Sequence, residues 1–453
     1  MIKETPVIVK KTARNAGIVK EFSFAENDVR TKGVSAVIKE FRERSWAVYK
    51  RLSFPTTSDD PWRRTDLKNL KTGEFQFFNQ NSQPEHAKLP DELLLPLADD
   101  THAGQIIVTP YDVKLEVDPE LAKSGVIFSD LQTVEKEHPE ILEKYLGSIV
   151  KPEGGKFAAM AYALARNGVI LYVPRNVVLE KPIHSIVWVY DNETAYFSNI
   201  LVVLEEGASA TFIQEYASPD NLESQIFHAG TIEVRVGENA NFKFVELQSF
   251  GKNVWNVMHE RVVVEQNGQV DWIFGAIGGH LTKNFADLNL VGRGSQGKMS
   301  GFYFTDGDQH LDYDSQQNHL APNTTSDLLF KGALVENSRS VWQGMIYVAP
   351  NAMKTDGYQA NRNLLLSKNA RADSIPGLEI LANDVRCTHG ATVGKVDMEQ
   401  VFYLESRGIP KVEAEKLIVE GFFDPIMQRI PFEGVKNRFQ SSIHKKMSSY
   451  RGE

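Results

Sequence analysis

The chain has 453 residues, 42% hydrophobic and 24% charged, a globular composition with room for about two to four structural units. Its formal net charge of −9 argues against a general nucleic-acid binder, which needs a basic footprint. The single cysteine, Cys387, excludes an internal disulfide and points to a reducing compartment, the cytoplasm or a plastid-like stroma.

The first residues, "MIKETPVIVKKTARNAG", carry lysines with no long apolar run behind them, so they do not read as a secretory signal. No stretch approaches the roughly 20 apolar residues of a membrane-spanning helix. "VSAVIKEFRERSWAVYKRL" spaces Val34, Val37, Ile38, Phe41, Val48 and Leu52 near a 3.6-residue period and predicts an amphipathic helix. Pro55 and Pro61 in "FPTTSDDPWRRTDL" end that pattern. "TVEKEHPEILEKYLGSI" predicts a second helix. Residues 1–155 therefore read as a helical or mixed unit.

From residue 156 to 392 strand-like runs of Val, Ile, Phe, Tyr and Thr take over. Six runs share one form, strand, small polar turn, strand: "VLEEGASATFI", "VRVGENANFKFV", "VVVEQNGQVDWIF", "NLVGRGSQGKMSGFYF", "ALVENSRSVWQGMIYV" and "LLSKNARADSIPGLEI". Turn centres set at Gly207, Asn239, Asn267, Gln296, Asn337 and Asn369 recur about every 30 residues, with one longer step between Gln296 and Asn337. Such recurrence predicts a β-helix-like solenoid, the alternative being a β-sandwich whose turns recur by chance.

Residues 393–453 turn helical again. Asp397 and Gln400 form a capping-box pattern, and Gly408 sits where a glycine ends a helix. Asp424-Pro425 reads as an N-cap followed by proline at the first helical position. Phe402, Leu404, Leu417, Ile418, Phe422 and Phe423 make an apolar stripe that either packs on the rest of the chain or docks another protein.

Candidate chemistry is sparse. "GRGSQGKMS" satisfies the dinucleotide pattern through Gly292, Gly294 and Gly297, and most of a P-loop through Gly292, Gly297 and Lys298. Met299 stands where the magnesium-binding hydroxyl belongs, and "MSGFYFTDG" reads as a strand rather than the phosphate-binding helix. A solenoid turn is the simpler reading. His259-Glu260 begins a zincin motif that Val263 leaves incomplete. "TDGDQHLDYD" gathers Asp306, Asp308, His310, Asp312 and Asp314; it reads first as a solvated loop and second as a cation site. In "NDVRCTHGATVG", Cys387 and His389 lie two apart, so on a strand both point the same way. Thiolate and imidazole are ligands for iron or zinc, but an iron–sulfur site takes about four. The pair is either structural or part of a site shared with a second chain.

Residues 338–410, "SRSVWQGMIYVAPNAMKTDGYQANRNLLLSKNARADSIPGLEILANDVRCTHGATVGKVDMEQVFYLESRGIP", closely resemble the SufB/SufD family of iron–sulfur cluster assembly proteins. "DQHLDYDSQQNHLAPNTTSDLLFKGAL" and "KFAAMAYALARNGVILYVP" are similar to earlier family segments, and "FPTTSDDPWRRTDL" to the SufD branch. The SufB branch carries a Cys where this chain has Asn361 and a Glu where it has Gly390, so the resemblance is to SufD. It implies a right-handed parallel β-helix flanked by helical units and a non-catalytic role. It implies pairing with a SufB-like scaffold, and docking of a SufC-like ABC ATPase by the C-terminal helices, ATP and magnesium being held by that partner. It nominates His389, and less firmly Cys387, as ligands of a transient iron–sulfur cluster shared across the pair; a flavin in the complex is compatible with it. A self-paired homodimeric scaffold is the alternative, with a β-helix carbohydrate enzyme using the acids at 306–314 as a remote one. No nucleic acid, membrane or stably bound cofactor is expected of the chain alone.

Overall fold

The computed structural model describes residues 21–77, 89–94, 102–220, 222–430 and 432–449; the stretch judged above for a secretory signal lies outside them. Sixteen strands form the body. One sheet holds β1 (Asn167–Val173), β3 (Thr194–Leu204), β5 (Ile226–Val236), β7 (Val254–Val264), β9 (Leu281–Leu290), β11 (His310–His319), β13 (Arg339–Val348) and β15 (Arg371–Ile380). The other holds β2 (Ile183–Trp188), β4 (Ser209–Ala217), β6 (Asn241–Ser249), β8 (Gln269–Ala276), β10 (Gln296–Thr305), β12 (Thr325–Leu334), β14 (Asp356–Leu365) and β16 (Arg386–Lys395). Successive strands alternate between sheets, and neighbours within each sheet run parallel. This is the predicted parallel β-solenoid, not a sandwich of antiparallel sheets.

Period-2 alternation builds it. One parity of each strand fills the lumen, as with Phe212, Phe244, Trp272 and Phe330, which share one apolar core. The other parity faces outward and is covered twice. On the odd-numbered sheet, Phe227, Trp255 and Leu201 pack under the N-terminal helices. On the even-numbered sheet, Phe302, Leu329 and Ala360 pack under the C-terminal ones.

The turns form two stacks, which corrects the repeat read from sequence. Gly207 (φ 68°), Asn239 (54°) and Asn267 (53°) do centre turns from odd to even strands, where left-handed backbone favours Gly and Asn. Gln296 does not: it opens β10, and the turn before it is centred on Gly294 (φ 73°). Asn337 and Asn369 belong to the other stack, from even to odd strands. The long step after Gln296 is the point where the reading crossed stacks and passed over the turn of Asn323 (φ 59°). Side-chain amides tie consecutive coils within each stack: Asn267 to Asn239 at 3.3 Å and Asn369 to Asn337 at 3.1 Å.

Helix α1 (Ala36–Arg51) forms as predicted, with Ser35 as N-cap, but Val37 is exposed. The second predicted helix is two, α2 (Leu131–Glu137) and α3 (Pro139–Tyr145), because Pro139 cannot continue the turn before it. Residues at the start of the expected solenoid form instead α4 (Lys156–Leu164), in which every residue is buried. A helix apolar on all sides has no amphipathic period to read. The C-terminal unit comprises α5 (Met398–Ser406), α6 (Lys411–Met427) and α7 (Glu433–Ser449). Asp397 caps α5, its carboxylate accepting the Glu399 N–H, and Gly408 (φ 85°) ends it. Asp424-Pro425 starts no helix: both lie in the last turn of α6.

Candidate functional site

The solenoid's last coil, β15 and β16, has no further strand against it among the described residues. β16 pairs only with β14, in a register that sets Cys387 beside Gly357, His389 beside Gln359 and Ala391 beside Asn361. No residue of β15 or β16 is buried. Leu378, Ile380, Leu381 and Val393 are all exposed there, an apolar end to an otherwise covered body.

Cys387 and His389 share strand parity but not environment. Cys387 is half-buried against Ile346, Val348, Ala352 and Ala382. A methyl at Gly357 would stand 3.3 Å from both Cys387 Sγ and His319 Nε2, so glycine there lets both groups approach one spot. Burial pushes the Cys387 thiol pKa up, which favours the protonated thiol over the nucleophilic, ligating thiolate. His389 is exposed and has no hydrogen-bond partner among the described residues. Asn361 is fully buried, its Oδ1 accepting from Asn363 Nδ2 and Ser374 Oγ. Gly390 has open space where a side chain would project.

Sequence reading missed the polar floor beneath this coil. His319 is buried, with Nδ1 2.7 Å from Thr324 Oγ1 and Nε2 2.8 Å from Ser326 Oγ; burial lowers its pKa to about 4, so it is neutral. Gln317, Gln359 and Asn361 are fully buried, and each leaves one amide atom without a partner. The signal available was a polar pair two residues apart on each of two strands, Gln317 with His319 on β11 and Gln359 with Asn361 on β14.

The C-terminal stripe divides. Phe423 is buried, edge-on to Phe439 at 5.0 Å, and Phe422 is half-buried under the Lys331 ammonium at 4.7 Å. Phe402 is 71% exposed and Leu417 42%; Leu404 and Ile418 are half-buried. Met398, Tyr403 and Val412 extend the exposed apolar face.

Of the acids at 306–314, Asp308 lies exposed in a turn as expected of a solvated loop, whereas Asp306 and Asp312 are buried. Asp306 is held by Lys446 at 2.6 Å and Lys252 at 3.1 Å, while Asp312 is fully buried 3.0 Å from Lys283 and accepts from Thr65 Oγ1. Asp306 lies in the turn before β11 and Asp312 on that strand, where lysines from other elements reach both. Among the described residues no three His, Cys, Asp or Glu side chains converge as a metal site. "GRGSQGKMS" is a turn into β10; a side chain at Gly292 would collide with Gln266 N at 1.9 Å. His259 and Glu260 lie on β7, facing opposite sides of the sheet. Among the described residues no helix is long and apolar enough to cross a membrane.

Fold and site define a parallel β-solenoid whose last coil is open and whose C-terminal helices present an apolar face. A model described as "SUF system FeS cluster assembly, SufBD core domain" matches residues 187–422, and one described as "SufBD protein N-terminal region" matches 19–185. The chain is 33% identical over 335 residues to the iron-sulfur cluster assembly protein SufD of Bacillus subtilis (strain 168), covering 74% of this chain and 76% of that protein. It is 27% identical over 429 residues to an iron-sulfur cluster assembly SufBD family protein of Staphylococcus aureus (strain MRSA252), covering 92% and 89%. The chain belongs to the SufBD family of iron–sulfur cluster assembly proteins and is SufD-like.

Proposed function

We propose that this chain is the non-catalytic, SufD-type subunit of an iron–sulfur cluster assembly complex. Its open last coil pairs with a SufB-like scaffold, and the face of α5 and α6 docks a SufC-like ABC ATPase that carries the ATP chemistry. The observation that supports the reading best is that two sheet edges unpartnered among the described residues carry an exposed imidazole, His389, on the same last coil as the exposed Leu378, Ile380, Leu381 and Val393. Exposed strand edges join other sheets, and a neutral imidazole binds iron through either nitrogen.

The cluster is cargo here, not a resident cofactor. His389 supplies one ligand; the thiolates come from the scaffold across the seam. Cys387, half-buried with its thiol pKa raised, supports that coil rather than binding iron. Asn361 and Gly390 replace the scaffold's own groups, so this subunit positions rather than builds. ATP-driven motion of the docked partner opens the seam, which a small rigid-body shift accomplishes.

The test is co-purification with candidate scaffold and ATPase chains, followed by anaerobic cluster reconstitution read by visible absorption. His389→Ala is expected to leave the complex assembled and lower cluster yield several-fold. Unchanged yield in an intact complex overturns the ligand role. Deleting residues 398–453 should abolish ATPase co-purification while scaffold pairing persists; retained ATPase overturns the docking role. A chain that self-pairs and holds a cluster without the scaffold favours the homodimer instead.

A further inference from the structure

We infer that α6 contains a hinge at Gly421–Pro425, about which α5 and the first part of α6 swing relative to the solenoid. Proline has no N–H, so Pro425 leaves the Gly421 carbonyl, four residues earlier, without its helical donor. Glycine is the least helix-favouring residue after proline, and the two stand at the ends of the same broken bond. Helix bends concentrate at such positions.

Packing does not require this glycine. A methyl at Gly421 would meet no atom within 4 Å, and its backbone is not left-handed. Alanine would fit and would strengthen the helix, so the residue weakens α6 at a place where neither space nor φ demands it.

The two sides of the break are held very differently. From Gly421 onward, Phe423, Ile426 and Met427 are buried on the even-numbered sheet with Leu329 and Ala360. The Phe422 carbonyl accepts Lys331 Nζ at 2.5 Å, and Arg429 pairs with Asp327 at 3.2 Å. Helix α7 is fastened further: Arg438 bonds to Glu215, and Lys446 Nζ reaches the Phe304 carbonyl, Asp306 and Gln309. Before Gly421, α5 packs on α6, Val401 and Ala414 are buried, and Phe402, Tyr403, Val412 and Leu417 face solvent. Within α6, Val419 is the one residue before Gly421 that joins the buried cluster on the sheet. The hairpin's other connection is the non-helical pair Val396-Asp397, of which Val396 packs against the sheet cluster and so marks where the moving part begins. A helical hairpin joined by an extended linker on one side and a weakened turn on the other moves as a unit. The swing is a property of this chain alone, whatever docks on the hairpin.

The experiment uses spin labels in the full chain with Cys387→Ser. One pair is Glu238→Cys with Glu405→Cys, spanning the hinge; the control is Glu238→Cys with Glu433→Cys, which does not. The first distance distribution should be at least twofold wider than the second, and the double substitution Gly421→Ala, Pro425→Ala should narrow it to the control width. A first distribution as narrow as the control overturns the hinge. A broad one that the double substitution leaves unchanged also overturns it, because the motion then lies elsewhere. Hydrogen exchange of the unlabelled chain gives a second reading that needs no cysteine: amides of residues 414–420 should exchange faster than those of 423, 424, 426 and 427, and Pro425→Ala alone should slow them several-fold. Equal protection on both sides of Gly421 counts against the proposal. ATPase co-purification reports separately on docking, so loss of one claim leaves the other standing.

Discussion

The two ends of the solenoid are built from the same unit and meet water differently. At the N-terminal end, strand Ile127–Asp130 pairs antiparallel with β1, and Gly104–Val108 extends the other sheet beside β2. Every residue of β3 is buried. At the C-terminal end, β15 and β16 close nothing and none of their residues is buried. Interior coils of a repeat protein bury each other's faces, so a terminal coil needs a cap or a partner. One end has its cap in the chain; the other leaves an apolar surface and His389 available.

The largest expected effect tests whether the open end is bare in the isolated chain. Phe227 is fully buried and touches Phe22, Phe75, Phe157 and Phe197. Phe227→Ala should lower unfolding stability by about 3–5 kcal/mol through lost burial and a cavity. Leu381, 51% exposed, should lose no more than about 0.5 kcal/mol on change to Ala. Urea denaturation of each variant measures both. A large loss at Leu381, with a concentration-dependent midpoint, would mean that the chain covers this end by pairing with itself.

A smaller effect separates lumen from open end by the sign of its pH dependence. In the lumen, burial lifts the Glu246 carboxyl to about 7, and burial with the neighbouring Glu246 charge holds Glu260 well above its ordinary value. Asn284 Nδ2 donates to Glu260 Oε1 at 2.9 Å; Tyr216, Tyr313 and Trp272 complete the surroundings. Each glutamate leaves Oε2 buried without a donor, which one shared proton would satisfy. A folded pKa above the unfolded one means that the folded state binds more protons. Stability should therefore fall as pH rises from about 4.5 through about 7, and Glu246→Gln should flatten the slope. At the open end the sign reverses. The Arg386 hydrogen bond holds Asp356 below its usual value, a contribution present above the unfolded pKa and lost as pH falls through the folded one. That pair is largely exposed and screened, so Arg386→Gln should change the acid limb only slightly. Thermal melting from pH 4 to 8 distinguishes the two.

The solenoid was legible because its turns need Gly or Asn at left-handed positions such as Gly207, Asn239 and Asn267, and its strands keep a period of two. Helix α4 was not, because "KFAAMAYAL" is apolar on every side. Asp424-Pro425 was misread because an acid followed by proline also fits a last turn, where one missing donor is tolerated. The site was half legible. Strand parity gave Cys387 and His389 a common face, but β16 carries the same alternation as interior strands, and only the missing neighbour beyond it exposes His389. The mixed fate of Phe402 and Phe423 likewise depends on which side of α5 and α6 meets the sheet, a tertiary fact.

The smallest effect belongs to Lys298, the residue that made the glycine turn resemble a phosphate loop. It lies on β10 between Asp271 of β8 and Asp327 of β12, so its ammonium sits in an alternating charge ladder on the outer face. Asp327 already has Arg429 at 3.2 Å. Screened surface charges of this kind contribute little, so Lys298→Ala should shift stability by less than about 1 kcal/mol. A phosphate-binding lysine would behave otherwise: its loss would abolish nucleotide binding and hydrolysis. The isolated chain is expected to bind no ATP by calorimetry, and the assembled complex to hydrolyse it equally well with the native chain or with the Lys298→Ala variant. A drop in hydrolysis with the complex intact would return nucleotide chemistry to this turn. The strand that follows Gly297 argues against that outcome, because its N–H groups are taken up by β8 and β12 rather than left free at a helix start.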